Sequence, residues 1–198
     1  AAYERRLKVF TRAAAKACNR WLANGGPLQV TEQELLVTFL AEGGAVLLRE
    51  RQSELEGIHP ILGIGLDAIA KGFAELGPLV ELMDEECGTK LGGIVQWRKG
   101  GPYLSRLFTF EEALAGTAAM WVWEKQIAER KLKAQGRAGL AGRPLDEQFV
   151  ISSLVYNSGI LFDEKLIARI KALDTGHYLA ELSERSKKRR WPLPVLSP

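Results

Sequence analysis

Carboxylates are the side chains in this sequence best suited to chemistry. Glu42 closes an apolar helical stretch, on the face shared by Leu35, Thr38 and Phe39, and Gly43 and Gly44 follow it directly. A carboxyl in such a place loses hydration, which disfavours its charged form and raises its pKa. A general acid needs that property, because it must still hold a proton near neutral pH in order to donate it. The two glycines remove side-chain bulk, so a large substrate can approach; the same glutamate can equally turn to solvent where the helix stops. Glu86 is a rival. It too follows an apolar helical face, although Asp84 and Glu85 beside it also suit a solvated, acidic helix end. Asp67, in Gly63-Ile-Gly-Leu-Asp67, can direct water or stabilise an oxocarbenium-like charge, or it can be the N-cap of the segment that follows.

Signatures of other chemistries are missing. The sequence has no phosphate-binding Gly-x-x-x-x-Gly-Lys-Ser/Thr, and Gly63-Ile-Gly65 is too short for a dinucleotide loop. It has no Gly-x-Ser-x-Gly elbow and no Cys/His pair suited to nucleophilic catalysis. Two cysteines, Cys18 and Cys87, and two histidines, His59 and His177, do not form a metal-ligand pattern, so neither a metal nor another cofactor is expected. The cysteines can stay reduced or form a single disulfide, a choice that depends on geometry.

The elements that must position these residues are mostly helices. A first helix is expected from Tyr3 to Leu22, with Leu7, Phe10, Ala14, Cys18 and Trp21 as its apolar stripe. Asn24-Gly-Gly-Pro27 ends it. Thr31-Glu-Gln-Glu34 is a capping box opening the helix that leads to Glu42. An amphipathic stretch at Ala45–Leu55 and a glycine-punctuated loop from His59 to Asp67 follow. A short helix then runs to Gly77, and another begins at Pro78 and carries Leu79, Leu82, Met83 and Glu86 on one face. The single β signal is a hairpin, Gly93–Arg98 and Tyr103–Phe108, joined through Lys99-Gly-Gly-Pro102. A second capping box, Thr109-Phe-Glu-Glu112, opens a long helix to Ala134 whose wide apolar face makes it the expected central element. A basic, glycine-rich and mobile loop is expected at Gln135–Pro144. Helices are then expected from Leu145 to Gly159, Asp163 to Leu173 and His177 to Arg189, before an extended proline-rich tail. The fold class is therefore mainly α, formally α+β, in one domain of residues 1–198 with residues 190–198 extended.

The helix ending Tyr156-Asn-Ser-Gly159 resembles the Tyr-Asn-x-Gly helix end of lytic transglycosylases and goose-type lysozymes, and the Phe-Asn-x-Gly of phage lysozymes. The order of the motifs is similar too. Glu42 precedes Gly63-Ile-Gly-Leu66 by about the interval found in goose-type enzymes, and a hairpin and long helix come before Tyr156-Asn157. The run Leu173–Leu179 and the Arg-rich stretch after it look like the ends of phage lysozymes. Together these motifs span about a fifth of the chain. The resemblance implies a lysozyme-like fold, glutamate-driven cleavage of peptidoglycan glycan strands, and Tyr156 and Asn157 lying against the sugar. Departures accompany it. Gly43 stands where the transglycosylase serine is usual, and Asp67-Ala68 where Met-Gln is usual. Gly93-Ile-Val-Gln-Trp97 is an alternative counterpart of the Gly-Leu-Met-Gln segment, which makes Gln96 a substrate-binding candidate and moves the acid to Glu86.

Composition is compatible with this reading and excludes others. Of 198 residues 46% are hydrophobic and 26% charged, a globular balance, and no apolar run approaches the ~20 residues of a membrane-spanning helix. The net charge of +3 is mild, with Arg185, Lys187, Lys188, Arg189 and Arg190 clustered near the C-terminus. That cluster suits an acidic cell wall, a protein partner or a plain helix end. Without aromatic platforms or a helix-turn-helix, nucleic acid is not an expected partner. Cell-wall chemistry implies a periplasmic or secreted protein. The first residues, Ala1-Ala-Tyr-Glu-Arg-Arg6, carry no apolar signal core, which leaves open a removed leader, a longer parent chain or another export route. The competing class is a non-catalytic helical interaction domain binding a protein partner or the wall.

Overall fold

The computed structural model describes residues 2–41, 66–158 and 180. Over these it is mainly helical, with six helices and one two-stranded antiparallel sheet. Glu42, the expected stretch at 45–55, the loop at 59–65, the helix at 163–173, the basic cluster at 185–190 and the tail lie outside the described residues. No helix among the described residues is long and apolar enough to cross a membrane.

Helix α1 (Ala2–Leu22) buries Leu7, Phe10, Ala14 and Cys18 of the expected stripe, with Trp21 only half-buried and Leu22 buried beside it, and leaves Lys8, Arg12 and Lys16 exposed. It ends at Gly25-Gly26, where Gly26 takes a φ of 134° that side-chain-bearing residues avoid. The Asn19 side chain bonds both the amide and the carbonyl of Val30, each at 2.8 Å, and so ties the connecting loop back to α1. Helix α2 (Glu32–Ala41) opens with the expected capping box. Thr31 Oγ1 accepts from the Glu34 amide at 3.1 Å, and Glu34 Oε2 accepts from the Thr31 amide at 2.9 Å.

Helices α3 (Leu66–Glu75) and α4 (Gly77–Cys87) meet at Leu76. Gly88 ends α4 in the left-handed conformation at φ 66°. Asp84 organises the chain beyond it: its carboxylate accepts from the Thr89 hydroxyl and the amides of Leu91 and Gly92 at 2.7–3.0 Å. The hairpin, β1 (Val95–Arg98) and β2 (Gly101–Leu104), pairs Val95 with Leu104, Gln96 with Tyr103 and Trp97 with Pro102. The connection is shorter than the sequence suggested. Gly101 adopts φ 114°, so pairing resumes after Lys99-Gly100 alone, and Pro102 sits in the strand. A two-stranded sheet consists of edges, where the missing proline N–H is tolerated.

Helix α5 (Phe110–Ala134) is the hub, packing on α1, α2, α3, α4 and on α6 (Leu145–Ser158). Almost every residue from Glu112 to Glu129 is buried. Its capping box forms as expected. At the crossing with α3, a Cβ on Gly72 would stand 2.5 Å from Met120 Sδ, so glycine permits the close approach. The connection from α5 to α6, expected to be mobile, carries specific anchors. Leu140 is buried, with its amide on Glu129 Oε2, and Gln148 Nε2 donates to the Arg143 carbonyl at 2.7 Å. Cys18 is buried, Cys87 half-buried, and both are free thiols, so no disulfide joins them.

Candidate functional site

The run Met120-Trp-Val-Trp-Glu-Lys125 carries two charged residues into the most buried part of α5. Lys125 Nζ donates to Glu34 Oε1 at 2.7 Å and to the Gln29 carbonyl at 2.8 Å. The Trp121 indole N–H donates to the same Glu34 oxygen at 2.7 Å. Glu34 thus caps α2 with one oxygen and anchors α5 with the other. Trp121 also packs against Phe149 of α6, with ring centroids 5.7 Å apart, so one indole pins both α2 and α6 to the central helix.

Glu124, beside that pair, has the opposite environment. It is 1% exposed, and its Oε2 has no hydrogen-bond partner. Desolvation raises its pKa to about 9, so at neutral pH it is a carboxylic acid and not a carboxylate. Glu124 was not among the residues expected from sequence; its signal there is a charge directly after the apolar run Met120-Trp-Val-Trp123, in the helix expected to be most buried.

Of the residues proposed from sequence, Glu86, Asp67 and Gln96 lie on different elements among the described residues. Glu86 lies against α1, with Arg20 Nη1 2.6 Å from Oε1 and Lys16 Nζ 3.3 Å from Oε2. Its hydrogen bond from Arg20, helped by Lys16 and outweighing partial burial, holds its carboxyl below the usual carboxylate range. That direction is opposite to the one a proton donor needs. Asp67 is exposed as the second residue of α3, inside the helix and not at its N-cap, where its charge complements the helix dipole. Gln96 is exposed on β1 and engaged within the hairpin: Oε1 accepts from Tyr103 Oη at 2.8 Å, and Nε2 donates to the Gly93 carbonyl at 3.3 Å. The Arg98 guanidinium stacks 4.8 Å above the Tyr103 ring on the same face. Tyr156 and Asn157 occupy the last turn of α6.

The hairpin packs on α3, so Asp67 and Gln96 belong to neighbouring elements, whereas Glu86 turns away towards α1. No group of three or more His, Cys, Asp or Glu is placed to hold a metal ion among the described residues. No protein-family model matches the chain, and comparison with curated proteins and with solved structures likewise finds no match.

Proposed function

We propose that the chain cleaves the β-1,4 bond between N-acetylmuramic acid and N-acetylglucosamine in peptidoglycan, as a muramidase or lytic transglycosylase of lysozyme-like type. The observation that carries this reading is that Trp121 pins to one central helix both α2, which Glu42 follows in the sequence, and α6, whose last turn holds Tyr156 and Asn157. Glu42 lies eight residues beyond Glu34, and Asn157 eight residues beyond Phe149. Both helices dock on α5, which supports a carboxyl and a tyrosine-asparagine pair serving one cleft. The ion pairing of Glu86 adds weight, since it leaves Glu42 as the favoured acid of the two glutamates.

In this mechanism Glu42 protonates the leaving glycosidic oxygen, while Tyr156 and Asn157 hold the sugar by ring contact and amide hydrogen bonds. In a transglycosylase the same carboxylate then takes the proton of the muramic 6-hydroxyl as that oxygen closes a 1,6-anhydro ring. In a hydrolase Asp67 directs water or stabilises the positive charge. The substrate puts the site of action in the periplasm or outside the cell. Glu42→Gln keeps shape and removes the acidic proton, so muropeptide release from purified sacculi is expected to disappear while the circular dichroism spectrum is retained. Undiminished release by that variant would end the proposal. Mass spectrometry of the wild-type products distinguishes an anhydro end from a reducing end.

A further inference from the structure

Trp97 is the most exposed large aromatic side chain among the described residues, at 61%. It projects from a hairpin whose register sets it opposite Pro102, the stiffest residue the partner strand could offer. Beside it lies a groove of about 280 Å³ between α3, the start of α4 and the hairpin. Phe73 and Val95 form its apolar wall, Gly77 and Gly93 its open backbone, and Glu81 is the charged lining residue among those described. A Cβ at Gly77 or Gly93 would meet nothing within 4 Å, so a ligand can reach the peptide backbone there.

We infer that this groove binds a pyranose ring, with Trp97 as the stacking platform and Glu81 as the hydroxyl acceptor. An indole face carries negative quadrupole density, and the axial C–H bonds of a sugar present a complementary positive surface. The volume lies near the lower end for small-ligand pockets and suits one ring rather than a long polymer segment. A protein partner would need a broad apolar patch. Among the described residues the other exposed large hydrophobics, Val9, Leu107 and Leu145, are scattered over α1, the segment before α5 and the start of α6. Among the described lining residues the charge is acidic, which disfavours a polyanion. The same carboxylate selects the neutral N-acetylglucosamine over the lactyl-bearing muramic acid. Asp67 stands one helical turn before Ala70, which lines the groove, so the groove lies along the helix that carries Asp67. The choice of polymer rests on the glycan reading above; the stacking site does not.

The test is titration of the full chain with tetra-N-acetylchitotetraose by calorimetry, alongside co-sedimentation with protein-free sacculi. Trp97→Ala is expected to weaken chitotetraose binding about ten-fold, and Trp97→Phe, which keeps a ring, to fall between. Because the indole is exposed, the melting temperature should stay close to wild type; this control separates lost binding from lost fold. Equal affinity in wild type and Trp97→Ala, or no measurable chitotetraose binding by the wild type, overturns the inference. Muropeptide release is read separately. Trp97-dependent binding without release would sink the cleavage proposal and leave this one standing, and Glu42-dependent release without Trp97-dependent binding would do the reverse.

Discussion

Two glutamates on one helix, Glu112 in the first turn of α5 and Glu124 in its middle, are buried almost equally, at 3% and 1% exposure, yet titrate at opposite ends of the scale. Burial pushes both up. At Glu112 it is overcome by Arg106, whose Nη1 and Nη2 reach the carboxylate at 2.6 and 2.8 Å, and by the amides of Thr109 and Lys90. That carboxyl is held down to about 2. Glu124 has only desolvation acting on it and is pushed up to about 9. Donors within reach therefore reverse the effect of burial at Glu112, and none does so at Glu124. The same lesson applies to the general acid expected from sequence. An apolar helical face is not enough, as Glu86 shows, because cations from a neighbouring helix reverse its shift.

The sharpest way to break the contrast is to take the cation away from a partnered carboxylate. Lys125→Met leaves Glu34 buried without its cation and should cost about 4 kcal/mol of stability, read from the urea midpoint. A loss under about 1 kcal/mol would mean that the pair is not buried as described.

Glu124 offers the next largest effect, and its sign follows from linkage. Its folded pKa of about 9 exceeds the ordinary 4.5, so its contribution is complete below pH 4.5 and is lost as pH rises to 9. Glu124→Met should therefore match wild type at pH 4 and exceed it by about 3 kcal/mol at pH 7. Denaturation curves at the two pH values decide it, and a gain independent of pH would contradict the assignment. Glu112 runs the other way: its contribution is present above pH 4.5 and lost as pH falls towards 2.

The smallest effect, and the most informative about cause, comes from Arg106→Ala. Its guanidinium is largely exposed, so the expected stability loss is only about 1 kcal/mol. The Glu112 carboxyl should titrate upward from about 2, followed by carboxyl carbon NMR. If it did not move, the backbone amides alone would account for the low value.

Much of the fold was legible because its determinants are local. Each capping box spans four residues, and both Thr31/Glu34 and Thr109/Glu112 form as read. The α1 stripe is one-sided and regular, so its buried face could be counted from sequence. The hairpin was legible as a pair of strands but not in its turn, since that depends on one backbone torsion at Gly101. The site was less legible. Glu34 meets Lys125 across 91 positions, and Glu86 meets Arg20 across 66, separations at which spacing carries no information. Glu124 stayed hidden for a related reason: its environment is made by every element packed around α5. Glu42 itself lies outside the described residues.

Glu34 has one further consequence, for how the molecule assembles. Its two oxygens act in different places, one closing the first turn of α2 and the other gripping Trp121 and Lys125. Starting a helix is ordinarily the unfavourable step, and a short helix gains little by itself. Here the side chain that helps α2 start is aligned by the distant helix that α2 must dock on. Initiation and docking therefore favour each other, and the early part of the chain gains order together with its centre as one cooperative unit.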